Sequence, residues 1–533
     1  MRAKFEAGLI NREFTVWIIW MLILFAATSL WFLNAQAMGS HSVLSSFPAD
    51  DAFIHLTYAR SLVEQHCPCF NKGVSEAGMT SPLWVILLAA MLGLGKVFGF
   101  GSFAAAKILS AGFGLFSALF AGLLFQDKRA KSSDLLLLAV VSGMVLLDPH
   151  FNFSRLAGME VTLAAFLVLA SFYFYIEERP LLLGLALGLS ALARPENFLL
   201  IALLSAAWLW RIIRGKQKPA SLLPVVLPIA LLVGAWFLYD FKISGRPLPN
   251  TYYAKSIPFA FFRPGTFGRL ISDGVFELAG FRMGFGVLFY FAGAAFIALR
   301  RRSLWPVLVY PWLFLYGLSV TRDFFFVGGY YFDRYFHPVI PCLVIPIGIG
   351  IVACYRYLDS AYRGGRKILS LAALAVVILL TSGLALAWFS ALREQRSMLA
   401  LDCLMIRKLY AAQGKWIDKY LPQEAVIATF DVGAVSFYAN RKIVDLNGLN
   451  THQMLEDPSY PLKLKPSYYL LDVDQSEAKI LRKDVWRLRR VGQLFYIYLR
   501  PLYATSAYKY ARTERTPLVE VLFEASYTNP GQE

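Results

Sequence analysis

The sequence predicts an all-α polytopic membrane domain of about eleven transmembrane helices, followed by a small C-terminal α/β domain. Three observations lead there. Of 533 residues, 57% are apolar, and the mean hydropathy of +0.53 is far above that of a soluble globular chain. Apolar runs of roughly 17–25 residues recur from Phe14 to Leu392, each long enough to cross a hydrocarbon core of about 30 Å as a helix. From Arg393 onward charged residues return at soluble-domain density, and no later run is long enough to span.

The first run lies behind a basic N-terminus, Arg2, Lys4 and Arg12, and lacks the small-residue cleavage site of a signal peptide. It therefore reads as a retained helix with a cytoplasmic N-terminus. Spans follow near residues 14–36, 103–125, 135–148, 160–177, 180–194, 197–213, 220–239, 283–299, 304–320, 338–354 and 368–392. The inside loops are then Asp127–Asp134, Glu177–Arg179, Arg211–Lys218, Arg300–Arg302 and Arg356–Lys367, all but the second clearly basic. Parity then requires that Pro82–Phe98 does not cross by itself. The runs at 135–148 and 180–194 are short, as expected of helices that stop inside the protein near a polar cavity.

Residues 1–392 thus form the membrane domain, with outside segments at 37–102 and 240–282. Residues 393–533 form the outside domain. Its opening, Met398–Tyr420, has an amphipathic helical pattern, and Ala425–Phe430, Tyr468–Asp472 and Phe495–Leu499 are β-rich. It carries no phosphate-cradling glycine motif and no nucleophile elbow. The net charge of +17 fits basic inner loops and anionic head groups, and excludes nucleic acid as a partner class. Cysteines 67, 69, 342, 354 and 403 form neither a disulfide scaffold nor a zinc-ligand pattern, and the closely spaced Cys67 and Cys69 are expected to be free thiols.

The strongest local signal for chemistry is Asp50-Asp51, just beyond the first span. Adjacent carboxylates raise each other's pKa and suit a general base or a divalent-cation ligand. The competing reading is a helix N-cap. His55, His150, His337 and His452 read as structural.

The stretch DDAFIHLTYARSL with FNKG and EAGMTSPLW resembles the first outside loop of membrane glycosyltransferases of the C-type (GT-C) fold, and most closely the mycobacterial β-arabinofuranosyltransferase family. Further matching pieces come in order: GMEVTLAA at 158–165, LARPE at 192–196, PLPNTYYAK at 247–255, DRYFHPVIP at 333–341, and DVGAVSFYANRKIVDLNGL at 431–449. Together they cover most of the chain. The segment 327–331 reads Val-Gly-Gly-Tyr-Tyr where that group often has GGD, which leaves the sugar open.

The resemblance implies transfer of a sugar, arabinofuranose first, from a polyprenyl-phosphate donor to a glycan or protein acceptor of the cell envelope, at the periplasmic face of a bacterial inner membrane. It implies a catalytic base at Asp50 or Asp51, Asp50 slightly favoured. The leaving phosphate calls for cations, for which Arg60, Arg194, Lys255 and Arg334 are the candidates. Glu160, Asn250, Tyr252 and Tyr253 are candidates for sugar or acceptor contacts. An ion pair of Arg194 with Glu196 is the structural alternative. No cofactor is required; a divalent cation, if used, would be Mg²⁺, Mn²⁺ or Ca²⁺ on Asp51 and Glu160. A single base with direct displacement gives inversion, whereas a β-linkage from a β-donor needs retention, so the stereochemistry stays open. An oligosaccharide ligase or polymerase is the neighbouring alternative. A lipid-linked sugar flippase or transporter is less suited, since the hydropathy shows no matching halves.

Overall fold

The computed structural model describes residues 12–125, 134–255, 285–319, 335–457, 459–473, 486–490, 493–510 and 515–527. Each of the predicted spans is occupied by a helix: α1 (Arg12–Leu33), α4 (Ser102–Leu123), α5 (Leu135–Leu147), α7 (Val161–Ile176), α8 (Pro180–Ala193), α9 (Phe198–Ile213), α10 (Leu223–Ser244), α12 (Phe285–Arg300), α13 (Trp305–Ser319), α14 (Ile340–Arg363) and α15 (Lys367–Lys408). Six helical stretches among the described residues are long and apolar enough to cross a membrane by length and composition. The remaining spans and Pro82–Phe98 are shorter apolar helices. The chain is a multi-pass membrane protein. Its lipid-facing residues are the exposed aliphatics Ile19, Ile23, Leu231, Leu238, Ile378 and Leu379, which would have no reason to stay exposed in water.

Between the spans lie α2 (Asp51–Gln65), α3 (Pro82–Phe98), α6 (Pro149–Leu156), α11 (Asn250–Lys255) and a hairpin of β1 (Cys69–Asn71) and β2 (Val74–Ser75). Cys67 and Cys69 are bridged across Cα atoms 5.3 Å apart. This overturns the free thiols expected from their spacing: the chain entering β1 holds the two Cα atoms within disulfide range, of order 4.4–6.8 Å.

The 42-residue α15 is roughly 60 Å long at about 1.5 Å per residue, twice a hydrocarbon core. It runs unbroken through the domain boundary predicted at 393. Its lower part is exposed to lipid, whereas Leu399, Ala400, Cys403, Leu404 and Ile406 are buried. There Ser42 donates to the Ala400 carbonyl at 2.9 Å, and Arg407 to Ser40 Oγ at 2.7 Å.

After α16 (Tyr410–Tyr420) come β3 (Val426–Thr429), α17 (Gly433–Ala439), β4 (Lys442–Asp445), α18 (Gln453–Glu456), α19 (Tyr460–Leu464), β5 (Tyr468–Val473), β6 (Trp486–Arg490), β7 (Gln493–Tyr510) and β8 (Arg515–Tyr527). The six longer strands form one mixed sheet in the order β4-β3-β5-β8-β7-β6. The first two pairings are parallel and the rest antiparallel. The sheet and α17 share a core with the first outside segment and α7: Val432, Ala434, Val435, Ile443 and Leu470 belong to the same buried cluster as Phe47, Phe53, Leu56, Trp84 and Leu163. The sheet is therefore packed onto the membrane domain by continuous apolar contact, the dominant source of cohesion between the two.

Candidate active site

Local sequence chemistry explains where the charged residues converge. Pro195 excludes helical backbone at the residue before it. Arg194 is accordingly extended (φ −152°, ψ 130°) and ends α8, with a short turn over Pro195–Asn197 leading into α9. Asn197 locks this break by donating to the Ser190 carbonyl at 2.9 Å and accepting from Tyr310 Oη at 2.5 Å. Between α6 and α7 the chain turns at Gly158, whose φ of +72° favours glycine. A Cβ at Gly158 would strike the Phe47 ring. That turn sets Glu160 at the start of α7.

The two breaks meet. Arg194 Nη1 donates to Glu160 Oε1 at 2.9 Å, and its Nη2 and Nε grip Glu196 at 3.0 and 3.3 Å. His55 Nε2 lies 3.4 Å from Glu160 Oε2, and the Tyr335 ring is 5.4 Å from the Arg194 guanidinium. His55, Glu160 and Arg194 are all at least nine-tenths buried. A charge cluster in such a place survives only because it is mutually paired. The Arg194–Glu196 pair is thus present as the structural alternative had it, and Glu160 joins it. Asp51 lies one turn before His55 on α2, about 40° away around the helix, so both are on one face.

Asp50 has a different environment. It precedes α2 without capping it by its own side chain. Instead its carboxylate accepts the Gly433 N–H at 2.6 Å and the Ala434 N–H at 2.7 Å, both from the first turn of α17. Only 8% of Asp50 is exposed.

Arg60 stands apart from this cluster. Nine residues after Asp51, it points to the opposite face of α2 and lies roughly 13 Å farther along the axis. It donates to the Phe437 carbonyl at 3.1 Å and stacks over the Phe437 ring. Asn250 is buried, and its N–H ties the second outside segment to the first by donating to Ala77 O at 2.8 Å. Tyr252 is half exposed, and Tyr253 packs edge-on against it and under Arg246. The Lys255 side chain, Arg334 and segment 327–331 lie outside the described residues.

A second polar cluster joins both outside segments to the sheet. Tyr58 donates to Asn450 Oδ1 at 2.9 Å, and Asp445 accepts from the Asn447 N–H, the Asn450 N–H and Asn450 Nδ2. His452 Nδ1 is 3.0 Å from Glu76 Oε2. Burial raises the Asp445 pKa to about 6 despite these donors. Burial likewise raises that of Glu76, opposed by His452.

Beside the sequence candidates lie His55 and His452, both read as structural and here facing Glu160 and Glu76, and Tyr335 at Arg194. The signal for His55 was its four-residue spacing from Asp51, and for Tyr335 its place in the DRYFHPVIP piece; His452 carries no local signal. For a divalent cation the fit is poor. No group of three or more His, Cys, Asp or Glu among the described residues is arranged to hold one, and the two oxygens of Glu160 face Arg194 and His55.

Residues 404–521 match a family described as a domain of unknown function (DUF8728). No curated protein matches the chain in sequence. Among solved structures, ArnT from Cupriavidus metallidurans bound to undecaprenyl phosphate superposes with a TM-score of 0.58 at 12% identity, over 94% of this chain and 97% of ArnT. The oligosaccharyltransferase AglB from Archaeoglobus fulgidus, in complex with an inhibitory peptide and a dolichol-phosphate, gives 0.55 at 12% identity, over 87% and 70%. Arabinofuranosyltransferase AftD from Mycobacteria gives 0.51 at 14% identity, over 96% of this chain and 42% of its own. The fold is GT-C. At these identities the likeness is one of architecture, and it spans membrane helices and the C-terminal sheet together.

Proposed function

We propose that this GT-C chain is a glycosyltransferase that moves a sugar from a polyprenyl-phosphate donor to an acceptor hydroxyl of the cell envelope, on the outer face of a bacterial plasma membrane. The observation that carries the reading is the buried His55–Glu160–Arg194–Glu196 cluster on the Asp51 face of α2, within a fold shared with enzymes solved with dolichol-phosphate and undecaprenyl phosphate. Arabinofuranose is the first choice of sugar, on the sequence resemblance.

Asp51 is the base in this mechanism. As the acceptor oxygen attacks the anomeric carbon, its proton passes to the Asp51 carboxylate. The bond from that carbon to the phosphate oxygen breaks, and polyprenyl phosphate leaves. Asp50 is less suited to the task, because two backbone N–H groups occupy its oxygens.

Glu160 serves the sugar hydroxyls, oriented by Arg194 and His55. Arg194, spanned by two carboxylates, contributes less free charge to the phosphate than its position in the sequence suggests. Lys255 and Arg334 then carry most of that task. Supporting this, Asn250 anchors the segment of Lys255 on Ala77, and Arg334 precedes Tyr335 beside Arg194. Arg60 is not assigned to the donor phosphate, because it faces away from Asp51.

Transfer from radiolabelled polyprenyl-phosphoryl arabinose in membranes tests the proposal. Wild-type transfer that drops at least 100-fold in Asp51→Asn, at equal expression, is expected. No transfer from this or any other polyprenyl-phosphate sugar would sink it in favour of the ligase or transporter reading.

A further inference from the structure

We infer that the C-terminal region, through the amides of Gly433 and Ala434, is a positioning device for the Asp51 base. The inference rests on the role proposed for Asp51, and it gives the segment 404–521 a task.

The contact is made at the residue that leads into α2. Asp50 is the residue immediately before the helix, and fixing its carboxylate at 2.6 and 2.7 Å fixes the backbone that Asp51 continues. The two hydrogen bonds run from neutral donors to a charged acceptor in a buried setting, the stronger kind. The fit leaves no slack. A Cβ at Gly433 would fall 2.6 Å from both Cγ and Oδ2 of Asp50, and closer still to its carbonyl oxygen. Glycine here is required by close approach to another chain segment, and not by φ.

The same surface of the C-terminal region follows α2 along its length. Phe437 packs edge-on to Phe53 at 5.7 Å, and its carbonyl accepts from Arg60. Past the end of α2, Asn71 exchanges two hydrogen bonds with the Ile443 backbone at 2.8 and 2.9 Å. Asn450 accepts from Tyr58 on α2 itself. Contacts at the first residue, the middle and the far end restrain both rotation and sliding of the helix. Rotation is what would carry His55 away from Glu160, and turn Asp51 with it.

Two variants test this in the full-length protein. Gly433→Ala inserts a methyl group against Asp50, and Asp50→Asn replaces one acceptor oxygen by a donor that faces an N–H. For each, donor KM and kcat are measured in proteoliposomes, and hydrogen exchange is followed in segments 51–65 and 433–439. We expect kcat to fall at least tenfold with donor KM within twofold. Exchange should rise in both segments together while α14 and α15 stay protected. A KM increase with unchanged kcat would overturn the inference, as would unchanged exchange in 51–65. Should wild type transfer no sugar at all, the proposed function fails, while the exchange data still decide whether the C-terminal region holds α2.

Discussion

Burial makes the charges around Glu160 costly to edit. Arg194 has two carboxylate partners, so loss of one does not leave it bare, yet a buried hydrogen bond to a charged group is worth roughly 1.5–3 kcal/mol. Glu160→Gln should therefore lower stability by about 2 kcal/mol, seen as a lower melting temperature in detergent, and should reduce transfer at least tenfold. Unchanged activity would remove Glu160 from the site. At Asp50 and Asp51 the residue types were legible in the sequence, but their surroundings were not. Both were plausible bases, and a helix cap was the plain alternative. The cap reading placed the partner of Asp50 within α2; its partners lie 383 and 384 residues away. No local pattern carries a contact of that range.

At the scale of elements, the loop from Asp445 to His452 is a pH-sensitive joint outside the membrane. The folded state holds the Asp445 proton more tightly than the unfolded chain, with a pKa raised from 3.8 to about 6 by burial. Its contribution to stability is therefore fully present below about 3.8 and lost as pH rises through about 6. The melting temperature of wild type relative to Asp445→Asn, a variant that cannot titrate there, should be greater at pH 4 than at pH 8. An offset equal at both pH values would show that Asp445 titrates normally. The helix breaks at Arg194-Pro195 and Gly158 were legible, because proline and glycine act on their own backbone. The hairpin of β1 and β2 was not, nor was the Cys67–Cys69 bridge, since both depend on how the chain folds back after α2.

At the scale of the molecule, the C-terminal sheet is not an appendage. It shares one buried cluster with α2, α3 and α7, and α15 runs from lipid into that cluster without a joint. A chain ending at residue 408 would expose Phe53, Phe437's partner, and leave the Asp50 carboxylate without the amides of Gly433 and Ala434. Such a chain should aggregate or be degraded, giving no monodisperse peak by fluorescence-detected size exclusion. A well-folded truncated protein would contradict the shared core. The boundary expected at 393 arose because hydropathy falls there; a helix that leaves the bilayer changes its solvent without changing its backbone.

The sequence by itself placed the apolar helices of a multi-pass membrane protein and the helix break at Arg194. Hydrophobic length, charge in loops and the conformational limits of proline and glycine are local properties, written wherever they act. It also marked Asp51, Glu160 and Arg194, because ionisable residues are conspicuous in apolar surroundings. Only the tertiary structure decided that Arg60 faces away, that Glu160 and Arg194 pair, and that Asp50 belongs to Gly433. Those outcomes depend on distances between segments far apart in the chain, which are set by the packing of the apolar core and not by any residue's own preference.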